Sequence, residues 1–294
     1  MNLEGRAAIV TGAGDGLGRA EALALAAEGA SVVLNDVSES AQSVVEEIET
    51  AGGKALLVAG DVSARATADA LVAAAVEHFG GLHIVVNNAG VLRDRMLFGM
   101  SDHEWDTVIQ VHLRGHFLLS RNAGAYWRQR SKLEGGPVYA RVVNTASEAF
   151  LIGSPGQPNY AAAKAGIAAL TVSTARGLSR YGVRANAICP RARTAMTEAV
   201  FGDAPAEGVD PLSVDHVAPF VAFLASPAAE KISGQVFVVH GGMVALLRPP
   251  SVEQRFDTTS STWSSVELEA SVGGYFAERD PRRMFAALEI LSLP

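Results

Sequence analysis

The stretch Val10-Thr11-Gly12-Ala13-Gly14-Asp15-Gly16-Leu17-Gly18 decides how the rest of the chain is read. An apolar run, residues 7–11, enters it, and an Ala-rich stretch, residues 16–28, leaves it. The first reads as a strand and the second as a helix, with Gly29 as its terminator. Glycine lets the chain turn tightly and lets the backbone approach a pyrophosphate without a Cβ in the way. The helix N-terminus then offers free N–H groups and partial positive charge to phosphate oxygens. A glycine pattern alone is a weak signal, but a strand–turn–helix setting is the context it requires. Gly12, Asp15, Gly16, Leu17 and Gly18 are therefore the expected nucleotide-facing set.

Outward from this turn, short Val/Ile/Leu runs alternate with longer helical stretches. Strands are expected at 31–35, 54–59, 82–86, 138–144, 183–188 and 235–239. Helices are expected at 38–51, 64–79, 104–130, 158–180 and 215–225. Such alternation predicts βαβ units and an α/β fold: one doubly wound parallel sheet of about seven strands. The strands are apolar without period-two alternation, as helices on both faces would require. Composition shifts after Gly241-Gly242, and Arg248-Pro249-Pro250 marks a boundary. The expected organisation is a catalytic domain over residues 1–248 and a C-terminal extension over 249–294. The extension is polar over 251–265, and 284–293 could form a short amphipathic helix. Its aromatic residues favour an arm over its own or a neighbouring subunit rather than a solvated tail.

The chain has 294 residues, 49% hydrophobic and 19% charged, with a formal net charge of −7. That apolar fraction excludes disorder for most of its length, and the length allows a sizeable core. No basic block is present, which argues against nucleic-acid and anionic-membrane partners. The single cysteine, Cys189, cannot staple the fold and is read as an inert buried thiol; no zinc spacing occurs. No segment reads as a targeting or membrane-spanning sequence, and the ending 291–294 is not a peroxisomal tripeptide. A cytoplasmic protein without a metal is the expectation.

Ligands of open parallel sheets bind beyond the carboxyl ends of the strands, and the remaining polar clusters fall there. Asp36 closes the second strand, 18 residues after Gly18. A carboxylate there accepts hydrogen bonds from the adenosine ribose hydroxyls and repels a 2′-phosphate. With Asp15 adding negative charge in the loop, NAD is expected rather than NADP. Asp61-Val62 ends the third strand and Asn87-Asn88-Ala89-Gly90 the fourth. Tyr160 and Lys164, four apart on a helix, face the same way. An ammonium beside a phenol favours the phenolate, and a tuned phenol can exchange a proton with a substrate oxygen. Ser147, 13 residues before Tyr160, could hold that oxygen as charge builds on it.

Over about residues 4–246 the chain resembles the short-chain dehydrogenase/reductase family. The resemblance is carried by Thr11-Gly-x-x-x-Gly16-x-Gly18, Asn87-Asn-Ala-Gly90, Ser147, Tyr160-x-x-x-Lys164 and a late Gly-Gly. It implies a Rossmann-type fold, a nicotinamide cofactor and alcohol–ketone interconversion. It also implies that Lys164 binds the nicotinamide ribose and that Asp61, Val62, Asn88 and Gly90 lie along the cofactor path. A homodimer or homotetramer is implied as well.

Val91-Leu-Arg-Asp-Arg95 and Val111-His-Leu-Arg-Gly115 resemble the dehydrogenase domain of multifunctional peroxisomal β-oxidation enzymes. Those enzymes oxidise (3R)-hydroxyacyl-CoA thioesters, and some act on 17β-hydroxysteroids. An acyl-CoA or steroid (steroid-CoA) substrate is thereby implied. An NADPH-dependent ketoacyl reductase and an inactive nucleotide-binding scaffold are the alternatives. The family commonly carries Asn where this chain has His112. That Asn supports a proton relay to the active-site Lys, which His112 would either replace or, merely packed in its helix, leave unserved. Arg191 stands where a glycine commonly follows the proline, and Thr194 is implied as a contact of the nicotinamide amide. Residues 197–214, rich in Gly and Pro, correspond to a mobile substrate lid. Arg93 and Arg95 are either a grip for CoA phosphates or ordinary surface and interface residues.

Overall fold

The computed structural model of the chain describes residues 2–280 and 283–293, and only the backbone of Ser40, Ala199 and Val200. The readings above that reach Met1 and Pro294 lie outside the described residues, as do the side chains of Ala199 and Val200 in the lid segment. Contacts divide the chain into two units, Met1–Leu247 and Arg248–Pro294.

The first unit holds one eight-stranded sheet in the order β3-β2-β1-β4-β5-β6-β7-β8. Its strands are β1 (Ala7–Thr11), β2 (Ser31–Asp36), β3 (Lys54–Ala59), β4 (Ile84–Asn87), β5 (Ala140–Thr145), β6 (Val183–Pro190), β7 (Val236–His240) and β8 (Met243–Leu246). The first seven run parallel; β8 pairs antiparallel with β7. The sequence predicts seven strands, and β8 is the correction. It is four residues long and only partly buried, so it carries no continuous apolar signal. It arises because Gly241 takes φ +50° and folds the chain back in a two-residue hairpin.

Alternate strand residues face opposite sides. Ala8, Val10, Val32, Leu34, Ile84 and Val86 share one cluster with Leu17, Leu25, Ile48, Val221 and Leu224. Ile9, Val33, Val85 and Val142 pack on the other side against Leu71, Leu119, Ala123 and Trp127. The first layer includes α1 (Gly16–Ala27), α2 (Gln42–Thr50) and α9 (Ala218–Ala225); the second includes α3 (Arg65–Phe79), α5 (Gly115–Glu134) and α7 (Pro158–Leu178). Each fully buried Leu or Ile contributes roughly 1.5–3 kcal/mol. The strand order reverses between β1 and β4, which opens a crevice at the carboxyl ends of these two strands.

The single long helix expected at 104–130 is instead α4 (Asp102–Ile109), a π turn (Gln110–Arg114) and α5. α4 starts early because Ser101 and Glu104 form a reciprocal capping box. The turn holds His112, and Gly115 just after it lies against Val62, where a Cβ would come within 2.9 Å of the valine side chain. Two further short helices, α6 (Ala149–Ile152) and α8 (Glu198–Phe201), lie on the carboxyl-end loops.

In the second unit the expected helix at 284–293 reduces to a 3-10 turn, Leu288–Ser292. A ten-residue segment without an N-cap cannot sustain a helix by itself. Helical structure starts earlier, at α10 (Ser265–Leu268), where Ser264 and Glu267 make a second capping box. It continues through a π turn, Glu269–Gly273, into α11 (Gly274–Ala277). Glu253 ties this unit together through Tyr275, Arg279 and Arg283.

Among the described residues no helix is long and apolar enough to cross a membrane, and no cluster of His, Cys, Asp or Glu could hold a metal ion.

Candidate active site

The parallel register brings the ends of β1, β2, β4, β5 and β6 to one edge, Thr11 beside Asn35 and Asn87 beside Asn144. The glycine turn leaves β1 there with φ +64° at Gly12 and +52° at Gly16. A Cβ on Gly18 would sit 2.1 Å from the Gly12 carbonyl oxygen, and one on Gly12 would sit 2.9 Å from Ala89 Cα. The turn therefore closes only with glycine at these positions. Asp15 is the extended N-cap of α1 and its side chain caps no N–H. The first-turn N–H groups thus have no intrahelical acceptor, and the cradle fits the phosphates of a dinucleotide. The Leu17 side chain is buried in the core and leaves its backbone as the part facing the cradle.

Asp36 accepts hydrogen bonds from Gly14 N at 3.0 Å and Ser38 N at 3.1 Å. Its carboxylate is thereby fixed against the glycine turn. Asn88 donates from Nδ2 to the Thr11 carbonyl at 3.1 Å, and Thr11 Oγ1 accepts from Asn88 N and Ala89 N. Asn88 is thus a clamp on the glycine turn as well as a neighbour of it. Asp61 turns back to accept from Ser63 N at 2.8 Å, and Val62 packs on Gly115. Thr194 approaches Gly16, whose Cβ would meet Thr194 Cγ2 at 3.2 Å. The structure thus brings Thr194 to the glycine turn.

Tyr160 and Lys164 share one face of α7, with Nζ 5.3 Å from the phenol ring centre. Nζ donates to the Thr145 carbonyl at 2.5 Å at the end of β5. Lys164 is fully buried, and burial holds its pKa down to about 7. Burial also pushes the Tyr160 phenol up to about 12, with the Ser147 hydroxyl pulling it back and Cys189 and Asp94 adding to the rise. This differs from the sequence expectation. The ammonium does not by itself tune the phenol, because desolvation acts on both groups and Lys164 is only partly charged at neutral pH.

The His112 and Tyr160 rings meet at 88°, centroid to centroid 5.2 Å. Its Nε2 lies 3.0 Å from Val91 N and 2.8 Å from Val91 O. Gly90 makes room for it, since a Cβ there would come within 2.3 Å of the ring. Burial lowers its pKa to about 3, so the ring is neutral over the working range. Its Nδ1 is buried without a partner.

Several groups have no motif in the sequence. Glu148 and Arg191 form a bidentate ion pair next to Ser147. Glu21, on α1, is fully buried, with neither carboxylate oxygen partnered; burial raises its pKa to about 8 and Lys164 pulls it back. Asn87 donates to Asn144 Oδ1 at 2.8 Å and Ser120 Oγ at 3.2 Å, and Asn144 donates to Thr171 at 2.8 Å. Strand pairing creates the Asn87–Asn144 contact and helix packing on the sheet creates those to Ser120 of α5 and Thr171 of α7, so the linear sequence shows none of them. Asn159 is buried and reaches the carbonyls of Arg93 and Glu104, at 3.0 and 3.1 Å, anchoring the start of α7. Arg93 and Arg95 are exposed, Arg95 against Glu104 at 3.3 Å. Cys189 is buried and its thiol is pushed up to about 12. The expected mobile lid is tied by Arg193 to Asp210 at 3.0 Å, to the Phe201 carbonyl at 2.9 Å and to the Gly202 carbonyl.

Comparison with known proteins adds to this geometry. The family profile described as Enoyl-(Acyl carrier protein) reductase matches residues 12–244. The chain is 60% identical to hydroxyacyl-CoA dehydrogenase ChsB1 of Mycobacterium tuberculosis, over 99% of this chain and 94% of that protein. It is 38% identical to peroxisomal multifunctional enzyme type 2 of Mus musculus, over 84% of this chain but only 33% of that larger protein. A crystal structure of a short chain dehydrogenase from Mycobacterium avium superposes with a TM-score of 0.86 at 44% identity, covering 96% of this chain and 98% of that one. The chain belongs to the short-chain dehydrogenase/reductase family of oxidoreductases, whose chemistry on CH–OH groups runs on a nicotinamide cofactor.

Proposed function

We propose that this protein is an NAD-dependent dehydrogenase that interconverts the secondary alcohol and ketone of a 3-hydroxyacyl-CoA, steroid-CoA esters included. The observation that carries the reading is the meeting of Ser147, Tyr160 and Lys164 at the sheet edge that also bears the glycine cradle. The name of one curated relative, a hydroxyacyl-CoA dehydrogenase, supports the thioester. Gly12, Gly16 and Gly18 with the N–H groups of Asp15, Gly16 and Leu17 would hold the pyrophosphate. Asp36, fixed by two backbone donors, favours free ribose hydroxyls over a 2′-phosphate. Asp61, Val62, Asn88 and Gly90 would flank the nucleoside, and Thr194 the amide end.

When bound, an oxidised nicotinamide accepts hydride from the carbinol carbon and lends positive charge beside the phenol. Ser147 and Tyr160 hold the substrate hydroxyl, and Tyr160 Oη, as the phenolate that the positive charge of a bound nicotinamide would favour, takes its proton as the carbonyl forms. A phenol raised by burial keeps its proton at neutral pH, which is the form the reverse direction starts from. Lys164, with its pKa near 7, passes that proton on and orients the ribose. His112, neutral and held on Val91, shapes the wall behind the phenol and keeps the relay side of Lys164 closed to bulk water. Exposed Trp105, Phe117 and Val172 on α4, α5 and α7 support a homodimer or homotetramer.

Tyr160→Phe is expected to lose turnover by at least about 10²-fold while NADH binding, followed by fluorescence, is kept. Near-normal turnover by this variant defeats the reading. Comparing a hydroxyacyl-CoA with its free acid tests the thioester: equal kcat/KM for both refutes it. Turnover with NADPH rather than NADH would favour a ketoacyl reductase instead.

A further inference from the structure

Glu148 directly follows Ser147, and Arg191 directly follows Pro190 at the end of β6. Their side chains meet head on: Arg191 Nε donates to Glu148 Oε2 at 2.7 Å and Nη2 donates to Oε1 at 2.9 Å. Both side chains are only 15% exposed. Bidentate pairs of this kind are the strongest and most directional of ion pairs, but burying two charges is costly unless geometry is excellent. The sheet does not need the tie. β5 and β6 are already joined through six register pairs, and Ala146 N continues the ladder to the Ile188 carbonyl at 2.7 Å. The pair begins where that ladder stops and the Ser147–Tyr160 contact starts. On one side, Ser147 Oγ accepts from Ala149 N at 3.2 Å and faces the phenol. On the other, Cys189 stands next to Pro190 and feels Glu148, Lys164 and Tyr160 together.

We propose that Glu148 and Arg191 are positioning residues: their ion pair fixes the Ser147 hydroxyl against Tyr160 and cancels charge beside the phenol. The proposal rests on the reading of Tyr160 as the proton-transfer group. Its consequence is directional. Arg191→Gln leaves a bare carboxylate near the phenol, which disfavours the phenolate. Glu148→Gln leaves a bare guanidinium, which favours it. The other groups around Tyr160 are Lys164 on its own helix, His112 from the π turn, Asp94 from the segment after β4, Cys189 from β6 and Ser147 after β5; Glu21 of α1 acts on Lys164. None of these residues is itself altered in either variant. As a general scale, a unit charge about 10 Å from a phenol in an effective dielectric of ~20–40 moves it by about half to one pH unit.

The test is the pH dependence of kcat/KM for oxidation of a medium-chain 3-hydroxyacyl-CoA with NAD, for wild type, the two single variants and the double Gln variant. The governing ionisation should rise in Arg191→Gln, fall in Glu148→Gln and return to the wild-type value in the double variant. Shifts of the same sign in both singles, or none, overturn the proposal, because a merely structural tie would harm both alike. ¹³Cζ-tyrosine NMR, with Tyr160→Phe assigning the resonance, reads the same phenol without turnover. Wild-type protein that oxidises no secondary alcohol would remove the proposed function and leave the NMR shifts to decide the pair. Where a single variant fails to fold, Arg191→Lys keeps the charge and loses the fork. It should lower kcat about tenfold with the ionisation unmoved, and a moved ionisation with normal kcat overturns the pairing role.

Discussion

Replacing Glu21 by glutamine should make the protein more stable, and increasingly so as pH rises. Glu21 sits inside α1 with no accessible surface and no partner for either oxygen. Desolvation raises its pKa from 4.5 to about 8, against the pull of Lys164. A carboxyl raised on folding binds its proton more tightly in the native state. Below pH 4.5 both states are protonated and the residue is neutral in the balance. Between 4.5 and 8 the unfolded chain ionises first, so native stability falls as pH rises. Each unit of displacement is worth about 1.4 kcal/mol, which gives about 3 kcal/mol at pH 7. Glutamine has nearly the same shape and no charge, so it removes the slope. Urea unfolding of wild type and Glu21→Gln near pH 5 and near pH 8 measures this through the midpoints. The expected gain is less than about 1 kcal/mol at the acid end and about 3–5 kcal/mol at the alkaline end. An equal effect at both pH values would refute the reasoning, since it would mean that Glu21 keeps its proton balance on unfolding. The same variant should lower the Lys164 pKa further, because Glu21 is one of the two groups that raise it.

Two further outcomes follow from the nucleotide end. Gly18→Ala forces a Cβ to within 2.1 Å of a backbone carbonyl; about 1–3 kcal/mol of strain should weaken NADH binding by roughly 10–100-fold in a fluorescence titration, with the thermal unfolding transition kept cooperative. Asp36→Asn removes the charge beside the expected ribose site while an amide oxygen still accepts from Gly14 N or Ser38 N. The ratio of NADP to NAD affinity should rise about tenfold, measured by parallel calorimetric titrations.

The parallel strands were legible because burial on both faces leaves an unbroken apolar run between turn residues. β1, buried at every residue, matches its expected bounds at both ends; the edge strand Lys54–Ala59 does the same although it is only partly buried, because its run of five apolar residues is still unbroken. The glycine turn was legible because positive φ at Gly12 and Gly16 leaves a compositional mark. Tyr160 and Lys164 were legible as a pair because helical spacing is local. What escaped depends on distance in the chain. Glu148 and Arg191 are 43 residues apart, and nothing in either neighbourhood announces the other. Glu21 carries no mark of burial in the sequence, because Ala-rich α1 has no sharply defined apolar face against which to place it. β8 was hidden because a four-residue edge strand has too few side chains to set a pattern. The π turn was hidden because apolar spacing on either side of it remains helical.

That π turn limits how this chain can change. A π turn holds one residue more than regular helical bonding needs. Deleting any one residue between Gln110 and Arg114 would let α4 and α5 fuse into an unbroken helix with better local bonding. The cost would be a rotation of everything upstream by about 100° relative to α5. Val108, now fully buried, would swing out of the interior. The capping box at Ser101 and Glu104, whose helix stub is held by Asn159 at the foot of α7, would swing away from it. Chain-length variation along this helix is therefore expected to collect in the loops at its two ends, while the surplus residue in its middle is retained.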